Sequence, residues 1–531
     1  MIAARFAALA LLLVACATSG PPRLSVEEAD RVLDELFRVA RPRFADTRDG
    51  AWAWSGAADY LGEPARFRFE WQGSRFVRQV NGRLGRTVGF DGEEGWSRSS
   101  RGLVRRLRLE DLDRELLITA ALIGGWIDPV PPLTVRARAA DEAYATLELS
   151  LVDSPMVMEL VVDRASGEPQ RLSRRSESGT NAWNFEGWQA RAGALVPTRI
   201  RHVAADGGIE NWIEFTEVAA MSFDDGRFGR PASEPDDVVF HDDAPALVET
   251  RRARTGHVLV RPLIEDREVG WFVFDTGAGG LVLDSEIADA LALERFGQVV
   301  AVGVAARTTA TFRQGTSFRL GGLELVDPIY VDLSLRFLEN SLGVRVAGIV
   351  GYEVLAHTVV TLAPERTAGE DPRLEIHAPG SLAALPWQPL VLDERLPCVM
   401  ARFDDERTDG AHEGLFKLDT GASGTVTFHA PAVERLRLLA GREVVRSRAA
   451  GIGGHGSVWR GPLDWFELAT ARFEGLVVEF ATDDVGSFAD VYTLGNIGQS
   501  LLAQFDLVFD YPGERIALLP AGSDVLESEA E

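Results

Sequence analysis

Two identical tripeptides hold the side chains whose type and spacing best fit acid–base chemistry. Asp-Thr-Gly occurs at 275–277 and again at 419–421, which puts Asp275 and Asp419 144 residues apart. Two carboxylates that approach to about 3 Å cannot both ionise, so such a pair keeps one shared proton. The pair then offers a base and an acid at one place, and its pKa values belong to the pair rather than to either residue.

The elements around both tripeptides repeat as well. An apolar strand-like run precedes each aspartate, and a second short apolar run and a helix follow it. The helices are expected to begin at Ser285 and at Ala430, where a proline comes second. A later segment of each copy ends in glycine, and these glycines, Gly351 and Gly498, are 147 residues apart. Because the offsets agree at both ends, the sequence predicts two equivalent lobes rather than two chance tripeptides.

This pattern resembles the retropepsin-like aspartic proteases, with two lobes in tandem over roughly 250–522. The resemblance implies a mainly β, bilobal fold in which Asp275 and Asp419 form the catalytic pair, one from each lobe. It also implies that Thr276 and Thr420 brace the two catalytic loops against each other. Four further residues would shape the tight turns beside the carboxylates: Gly277, Ala278, Gly421 and Ala422.

The two copies differ at one position beneath the catalytic loops. Residues 349–351 are Ile-Val-Gly, whereas residues 496–498 are Asn-Ile-Gly. The resemblance implies an apolar-apolar-glycine strand at this place in each lobe. Asn496 therefore departs from the pattern, and we expect hydrogen bonds to satisfy its amide.

A glycine-rich hairpin over the cleft is a further feature that the resemblance implies. Gly451, Ile452, Gly453 and Gly454 begin 32 residues after the second aspartate and fit such a substrate-binding flap. The comparable first-lobe stretch, 302–306, contains less glycine. We therefore expect one mobile flap rather than two.

The leading hypothesis is an envelope-anchored aspartic endopeptidase, a hydrolase that cuts peptide bonds with a water activated by the aspartate pair. Its substrate would be an extended peptide or protein, and no cofactor or metal is implied. Two lobes in one chain mean that no oligomer is needed to build the active site. The alternative is a non-catalytic envelope protein that binds peptides or lipoproteins on the same scaffold. In a third arrangement, the N-terminal domain or the linker occupies the cleft.

The first residues resemble a bacterial lipoprotein signal. Arg5 precedes an apolar core at 6–15, which is too short to span a bilayer as a helix. Small residues then lead into Cys16, whose acylation would anchor the chain to a lipid bilayer. An alanine follows at position 17, which in such lipoproteins favours the outer membrane. The other interpretation is a simple secretory signal that is cleaved nearby.

Composition and charge exclude several classes of function. The 55 basic and 80 acidic residues give a net charge of −25, which opposes binding to nucleic acid. The eight histidines show no metal-ligand spacing. Only Cys398 remains beyond the leader, which excludes a disulfide framework, and its apolar surroundings indicate a small buried hydrophobic residue.

The region before the lobes has a different organisation. A capping box at 25–28 starts a helix that we expect to end at Pro42, and alternating hydrophobic residues then predict antiparallel hairpins interrupted by one helix at 109–123. Such a sheet with one or two helices resembles the half-barrel of periplasmic lipoprotein carriers. The predicted divisions are a signal peptide at 1–16, an N-terminal α+β domain at 24–227, an acidic Pro-rich linker at 228–250, lobe 1 at 251–380, lobe 2 at 381–522 and an acidic tail at 523–531.

Overall fold

Among the residues that the structure describes, strands account for 51% and helices for 15%, which confirms the predicted mainly β fold class. The computed structural model describes residues 24–176, 179–204, 208–303, 307–364, 369–382, 385–405, 410–451, 454–483 and 486–523. The predicted signal peptide with Cys16, and the flap residues Ile452 and Gly453, lie outside the described residues.

The N-terminal domain is one long antiparallel sheet with two helices. The helices are α1 (Val26–Asp49) and α2 (Leu109–Ile123). The strands are β1 (Ala51–Tyr60), β2 (Glu63–Gln72), β3 (Arg75–Asn81), β4 (Arg86–Phe90), β5 (Gly95–Ser99), β6 (Val104–Leu107), β7 (Leu133–Ala140), β8 (Tyr144–Leu151), β9 (Val157–Asp163), β10 (Pro169–Ser176), β11 (Gly179–Glu186), β12 (Gln189–Arg191), β13 (Ala194–Val196), β14 (Arg199–Ala204) and β15 (Ile209–Ala220). Thirteen of them form a sheet in the order β6-β5-β4-β3-β2-β1-β15-β14-β11-β10-β9-β8-β7, and β12 pairs with β13.

The predicted alternation of side chains gives this sheet its buried face. Phe67, Phe69 and Trp71 of β2 are at most 2% exposed. They share one hydrophobic core with Leu36 and Phe44 of α1. Side chains two apart lie on one face of a strand, so the alternation places all three aromatic rings against the helices.

The prediction that α1 ends at Pro42 is wrong, because the helix continues to Asp49. Proline removes one helical hydrogen bond and costs roughly 3 kcal/mol in a helix interior. The residues after it offset this cost, since Phe44 and Thr47 are fully buried. The Thr47 hydroxyl accepts a hydrogen bond from the Leu195 amide at 2.8 Å, which ties the last turns to the sheet.

Lobe 1 consists of two sheets. Its helices are α3 (Ser285–Ala290), α4 (Arg336–Leu342) and α5 (Tyr352–Leu355). Its strands are β16 (Val238–Phe240), β17 (Leu247–Val248), β18 (Thr250–Arg252), β19 (Val258–Val260), β20 (Leu263–Ile264), β21 (Arg267–Glu268), β22 (Trp271–Phe274), β23 (Leu281–Asp284), β24 (Glu294–Val302), β25 (Arg307–Gln314), β26 (Ser317–Leu320), β27 (Leu323–Val326), β28 (Ile329–Leu333) and β29 (Val346–Val350). One sheet has the order β18-β19-β22-β29-β23-β28-β25-β24, the other β16-β27-β26-β20-β21.

Lobe 2 repeats the central part of this arrangement. Its helices are α6 (Ala430–Arg435) and α7 (Gln499–Leu502), with a 3-10 turn at Gly486–Ala489. The remaining strands are β30 (Val359–Ala363), β31 (Arg373–His377), β32 (Gln388–Pro389), β33 (Val391–Asp393), β34 (Leu396–Asp405), β35 (Gly410–Asp419), β36 (Val426–Phe428), β37 (Val445–Gly451), β38 (Gly454–Pro462), β39 (Trp465–Leu468), β40 (Ala471–Glu474), β41 (Val477–Ala481), β42 (Gly495–Gly498), β43 (Phe505–Asp510) and β44 (Arg515–Pro520). The lobe sheet runs β37-β38-β41-β36-β42-β35-β34-β39-β40, with β33 paired to β34.

A third sheet joins the two lobes. Its order is β17-β31-β30-β43-β44-β32, and the antiparallel pairing of β30 with β43 joins residues 359–362 to residues 507–510. Residues 228–250, predicted as a linker, contribute β16 and β17 to the sheets of this half of the chain. The lobes therefore share backbone hydrogen bonds as well as side-chain contacts.

Candidate active site

Each candidate catalytic aspartate stands where a central strand of its lobe ends. Asp275 follows β22, which lies parallel to β29, and its amide donates a hydrogen bond to the Val350 carbonyl at 2.9 Å. Asp419 is the last residue of β35. This strand lies parallel to β42, and Asp419 lies opposite Gly498 in their register. Equivalent strands thus present both carboxylates at the junction between the lobes.

The two threonines lock the loops of the two lobes together. The Thr276 amide donates to the Thr420 hydroxyl at 3.0 Å, and the Thr420 amide donates to the Thr276 hydroxyl at 3.1 Å. Each hydroxyl donates in turn to a carbonyl of the opposite lobe, that of Leu418 at 2.7 Å and that of Phe274 at 2.9 Å. Both threonines are almost fully buried, so these four hydrogen bonds form away from water.

The glycines bring each loop against the carboxylate of the other lobe. The Gly277 amide donates to its own lobe's Asp275 at 2.8 Å, and the Gly421 amide donates to Asp419 at 3.0 Å. A Cβ atom on Gly277 would lie 2.5 Å from Oδ1 of Asp419, and a Cβ on Gly421 would collide with the Asp275 carboxylate. Since no side chain fits there, glycine at both positions is a condition for the close approach.

The two carboxylates share one proton, and their surroundings are unequal. Burial raises the pKa of Asp275 well above its usual range, and the neighbouring negative charge of Asp419 raises it further. Burial also raises the pKa of Asp419, but the Gly421 amide and a hydrogen bond from Asp275 oppose this rise. Because burial raises the pKa of both carboxyls, the pair keeps a proton to a higher pH than a free aspartate would, and its pKa values belong to the pair.

Asn496 connects Asp419 to a buried polar cluster. This is the residue at which the sequence of lobe 2 departs from that of lobe 1. Its amide nitrogen lies 3.5 Å from Oδ2 of Asp419, and its oxygen lies 3.1 Å from Nε2 of His429. The other ring nitrogen of His429 lies 3.1 Å from the Thr493 hydroxyl, which donates to Asp490 at 2.5 Å. The amide is thus satisfied by partners that are far away in the sequence.

The only lysine of the chain completes this cluster. Nζ of Lys417 lies 2.7 Å from Oδ2 of Asp490, and both side chains are nearly inaccessible to solvent. The lysine charge holds the pKa of Asp490 well below its usual range, whereas burial lowers the pKa of His429 to about 4. Equivalent positions in lobe 1 carry Val273 and Ile349, which belong to an apolar cluster. Lobe 2 alone supports its aspartate with a charged layer.

His257 adds a contact between the lobes that the sequence analysis missed. It belongs to the β18–β19 turn of lobe 1, and its Nε2 lies 2.8 Å from the carbonyl oxygen of Gly421. The Thr255 hydroxyl lies 2.6 Å from Nδ1. The ring therefore donates to the Asp-Thr-Gly loop of lobe 2 and accepts from Thr255. A lone histidine far from either tripeptide gives no sequence signal for such a role.

Two hairpins approach the cleft. Gly451 and Gly454 lie opposite each other at the end of the β37–β38 hairpin. The other two residues of the predicted flap, Ile452 and Gly453, lie outside the described residues. The β24–β25 hairpin of lobe 1 ends beside Gly303, whose carbonyl accepts a hydrogen bond from the Ser487 amide of lobe 2 at 3.2 Å. Gly454 and Gly303 both line the cavity that contains the aspartates.

Three further observations concern other candidate features in the part of the chain that the structure describes. Within it, no group of three or more metal-ligating His, Cys, Asp or Glu side chains comes together. Cys398 is fully buried, and burial raises the pKa of its thiol well above the usual range, as expected for an inert cysteine. No helix among the described residues has both the length and the apolarity to cross a membrane.

The family comparison agrees with this geometry. A family model described as aspartyl protease matches residues 260–354 and 400–502, one match in each lobe. The two lobes are aspartyl-protease-like. Both matches include the Asp-Thr-Gly loop and the glycine-ending strand of their lobe. No curated protein matches the chain.

Two of the solved structures that resemble part of this chain are a LolA superfamily protein and an aspartic proteinase. A LolA superfamily protein from Nitrosomonas europaea is 18% identical, covers 38% of this chain and is itself covered over 97%, with a TM-score of 0.28. An aspartic proteinase from Irpex lacteus is 12% identical, covers 52% of this chain and is itself covered over 98%, with a TM-score of 0.31.

Proposed function

We propose that the aspartyl-protease-like lobes form an aspartic endopeptidase that cuts extended peptides. One observation carries the proposal: the aspartates of the two Asp-Thr-Gly loops meet, and each packs against the glycine of the opposite loop. The threonine hydrogen bonds hold this arrangement between the lobes. A pair of carboxylates with one proton is the chemistry that metal-free peptide hydrolysis requires.

We base the proposed roles on a geometric difference: the Asn496 amide nitrogen lies 3.5 Å from Oδ2 of Asp419 and favours the charged form of that carboxyl. Asp419, as the charged partner, takes a proton from a water molecule, whose oxygen then attacks the peptide carbonyl carbon. Asp275 gives its proton to the carbonyl oxygen, which yields a tetrahedral diol. The intermediate collapses when a hydroxyl proton returns to the pair and the amide nitrogen receives a proton, and the C–N bond breaks. Activity therefore requires that one carboxyl keeps its proton.

The direct test uses the chain from residue 17 onward with the variants Asp275→Asn and Asp419→Asn. Each is incubated with a complex peptide mixture at about pH 3.5 to 7.5, and new termini are identified by mass spectrometry. We expect cleavage by the parent chain that both variants lose. Asp243→Asn, at an exposed position outside the cleft, serves as the matched control and should keep the activity.

The outcome that contradicts the proposal is equally specific. If the folded parent chain cuts nothing across this pH range, or if one aspartate variant keeps full activity, the paired mechanism is wrong. Peptide binding without cleavage would instead favour the non-catalytic scaffold.

The proposed location is the bacterial envelope, with the chain anchored through acylated Cys16. This proposal rests on the sequence of the leader. In cells fed a clickable palmitate analogue, the full-length protein should take up label and fractionate with the outer membrane. Cys16→Ser should abolish labelling and release the protein. Label on the Cys16→Ser variant would exclude this anchor.

A further inference from the structure

The cavity that contains the aspartates does not end at the two lobes. It has a volume of about 1570 Å³, whereas pockets for small ligands usually measure about 300–1,000 Å³. Part of its wall comes from the N-terminal domain, from strands β1 to β4, helix α2 and strands β10, β11, β14 and β15. A molecule bound at the aspartates therefore shares a cavity with the N-terminal domain.

The N-terminal part of this cavity has an apolar floor. Five side chains that line it are at most 6% exposed, and they come from β2, α2, β11 and β14. They are Phe67, Ile118, Leu122, Phe185 and Ile200. This surface suits an apolar side chain of a bound peptide.

Arginines surround that floor. Arg78 and Arg86 both contact the buried carboxylate of Glu115, Arg86 at 3.3 Å. Two guanidinium groups on one carboxylate leave one positive charge in excess at the cavity wall. In a chain of net charge −25, this group of two arginines on one glutamate is a local reversal of sign.

A second group of charges next to these arginines is balanced and does not cancel the excess: Arg105, Arg114 and Arg174 stand against Glu110, Asp111 and Glu394. Arg174 lies 2.7 Å from Glu110, and Arg114 lies 2.6 Å from Asp111 and 2.8 Å from Glu394. The positive charge available to an anion at this wall is therefore that of the Arg78, Arg86 and Glu115 group.

The domains are held together at this cavity, so the shared wall is a built feature. The Gln298 amide donates to the Leu61 carbonyl at 2.7 Å, at the bulge of the first-lobe hairpin. Arg83 forms an ion pair with Glu294 at 2.8 Å and stacks on Phe296 at 3.7 Å. These contacts fix one cleft hairpin to the N-terminal domain.

We propose that the N-terminal domain carries a substrate subsite of the peptidase proposed above: the apolar floor takes an apolar residue, and Arg86 and Arg78 bind a nearby carboxylate of the same peptide. The inference rests on the proposed function for the role of the bound peptide, but its binding step is measurable without cleavage. The carboxylate belongs either to an acidic side chain or to the peptide C-terminus, and the test separates these sources.

The experiment measures binding by calorimetry to the chain from residue 17 onward that carries Asp275→Asn. The probes are four decapeptides of one apolar sequence, with an internal glutamate or glutamine and with a free or an amidated C-terminus. We expect the peptides with the recognised carboxylate to bind about tenfold more tightly than the doubly neutral peptide, and added salt should reduce this gain. The pair that shows the gain identifies the source.

Arg86→Gln in the same background should remove the gain, and Arg86→Lys should keep part of it. Arg98→Gln, an exposed arginine on the neighbouring strand β5 and outside the cavity, is the matched control. Equal affinity for all four peptides, or a gain that survives in Arg86→Gln, overturns the subsite. Failure of the parent chain to cut peptides would overturn the proposed function but leave this binding result to stand or fall separately.

Discussion

Gly277→Ala is the substitution that most directly tests how the two loops meet. Its new Cβ would lie 2.5 Å from Oδ1 and 2.6 Å from Cγ of Asp419, across the lobe boundary. Carbon atoms in contact normally lie about 3.5–4.0 Å apart, so the carboxylate or the loop has to move by roughly 1 Å. A displacement of that size in a catalytic group costs on the order of 10²-fold in rate. We therefore expect kcat to fall about 100-fold, which corresponds to about 2.7 kcal/mol in the barrier.

The assay is steady-state hydrolysis of a peptide that the parent chain cuts, together with thermal unfolding of each variant. Gly279→Ala is the matched control in the same loop, because its Cβ would meet no atom closer than the Glu394 carbonyl at 4.0 Å. Overpacking costs about 1–3 kcal/mol of stability, so Gly277→Ala should remain folded with a lowered Tm. Gly421→Ala displaces Asp275 instead and should produce a similar loss.

The reasoning is refuted if folded Gly277→Ala works within about threefold of Gly279→Ala, well short of the loss expected for a misplaced catalytic group. That result would mean that the loop does not press on the opposite carboxylate, or that Asp419 takes no part in the reaction. A loss of activity in the control as well would show a general sensitivity of the loop and would also contradict the explanation.

Three further substitutions test the surroundings of the aspartates. Lys417→Met leaves Asp490 buried without its cation and should cost about 3–5 kcal/mol of unfolding free energy at pH 7. The ion pair lowers the pKa of Asp490, so its contribution to stability disappears as acid protonates that carboxyl, and denaturant titrations should show a smaller loss below about pH 4. Asp490→Asn added to Lys417→Met should restore stability. Burial raises the pKa of Asp393 to about 7, so the folded state resists ionisation of this carboxyl. Asp393→Asn should therefore increase the unfolding free energy by about 2–4 kcal/mol at pH 8 and leave it unchanged at pH 4. Equal gains at both pH values would contradict this explanation. Thr420→Val leaves the Thr276 amide and the Phe274 carbonyl without their partner, so it should lower stability by about 2–4 kcal/mol and reduce kcat, whereas Thr420→Ser and the exposed Thr309→Val should do neither.

The sequence was informative where the determinants are local or repeated. The strands that precede Asp275 and Asp419, and the helices that begin at Ser285 and Ala430, follow from hydrophobic runs and helix-start signals. The close approach of the two tripeptides follows from the repeat, because equivalent lobes place equivalent loops at a common axis. In these cases each local preference agrees with the fold.

Features that depend on distant partners escaped the sequence. Lys417 and Asp490 are 73 residues apart, and nothing in the sequence near either residue indicates the pairing. The extension of α1 past Pro42 depends on burial against strands that come much later. The wall that the N-terminal domain adds to the cavity arises only when domains pack, and no periodicity records such packing.

The charged layer behind Asp419 has a consequence for proton placement. If the two lobes were identical, the proton would have the same energy on either carboxylate. Half of the molecules would then carry it on the aspartate of lobe 1 and half on that of lobe 2. Here Lys417 and Asn496 occur in one lobe, while Val273 and Ile349 occupy the matching positions of the other. This difference makes the two protonation states unequal in energy, so in the proposed peptidase a substrate would meet one acid and one base in a fixed order. In the proposed peptidase, a polarised cleft of this kind would assign a direction to the peptide chain that lies across it.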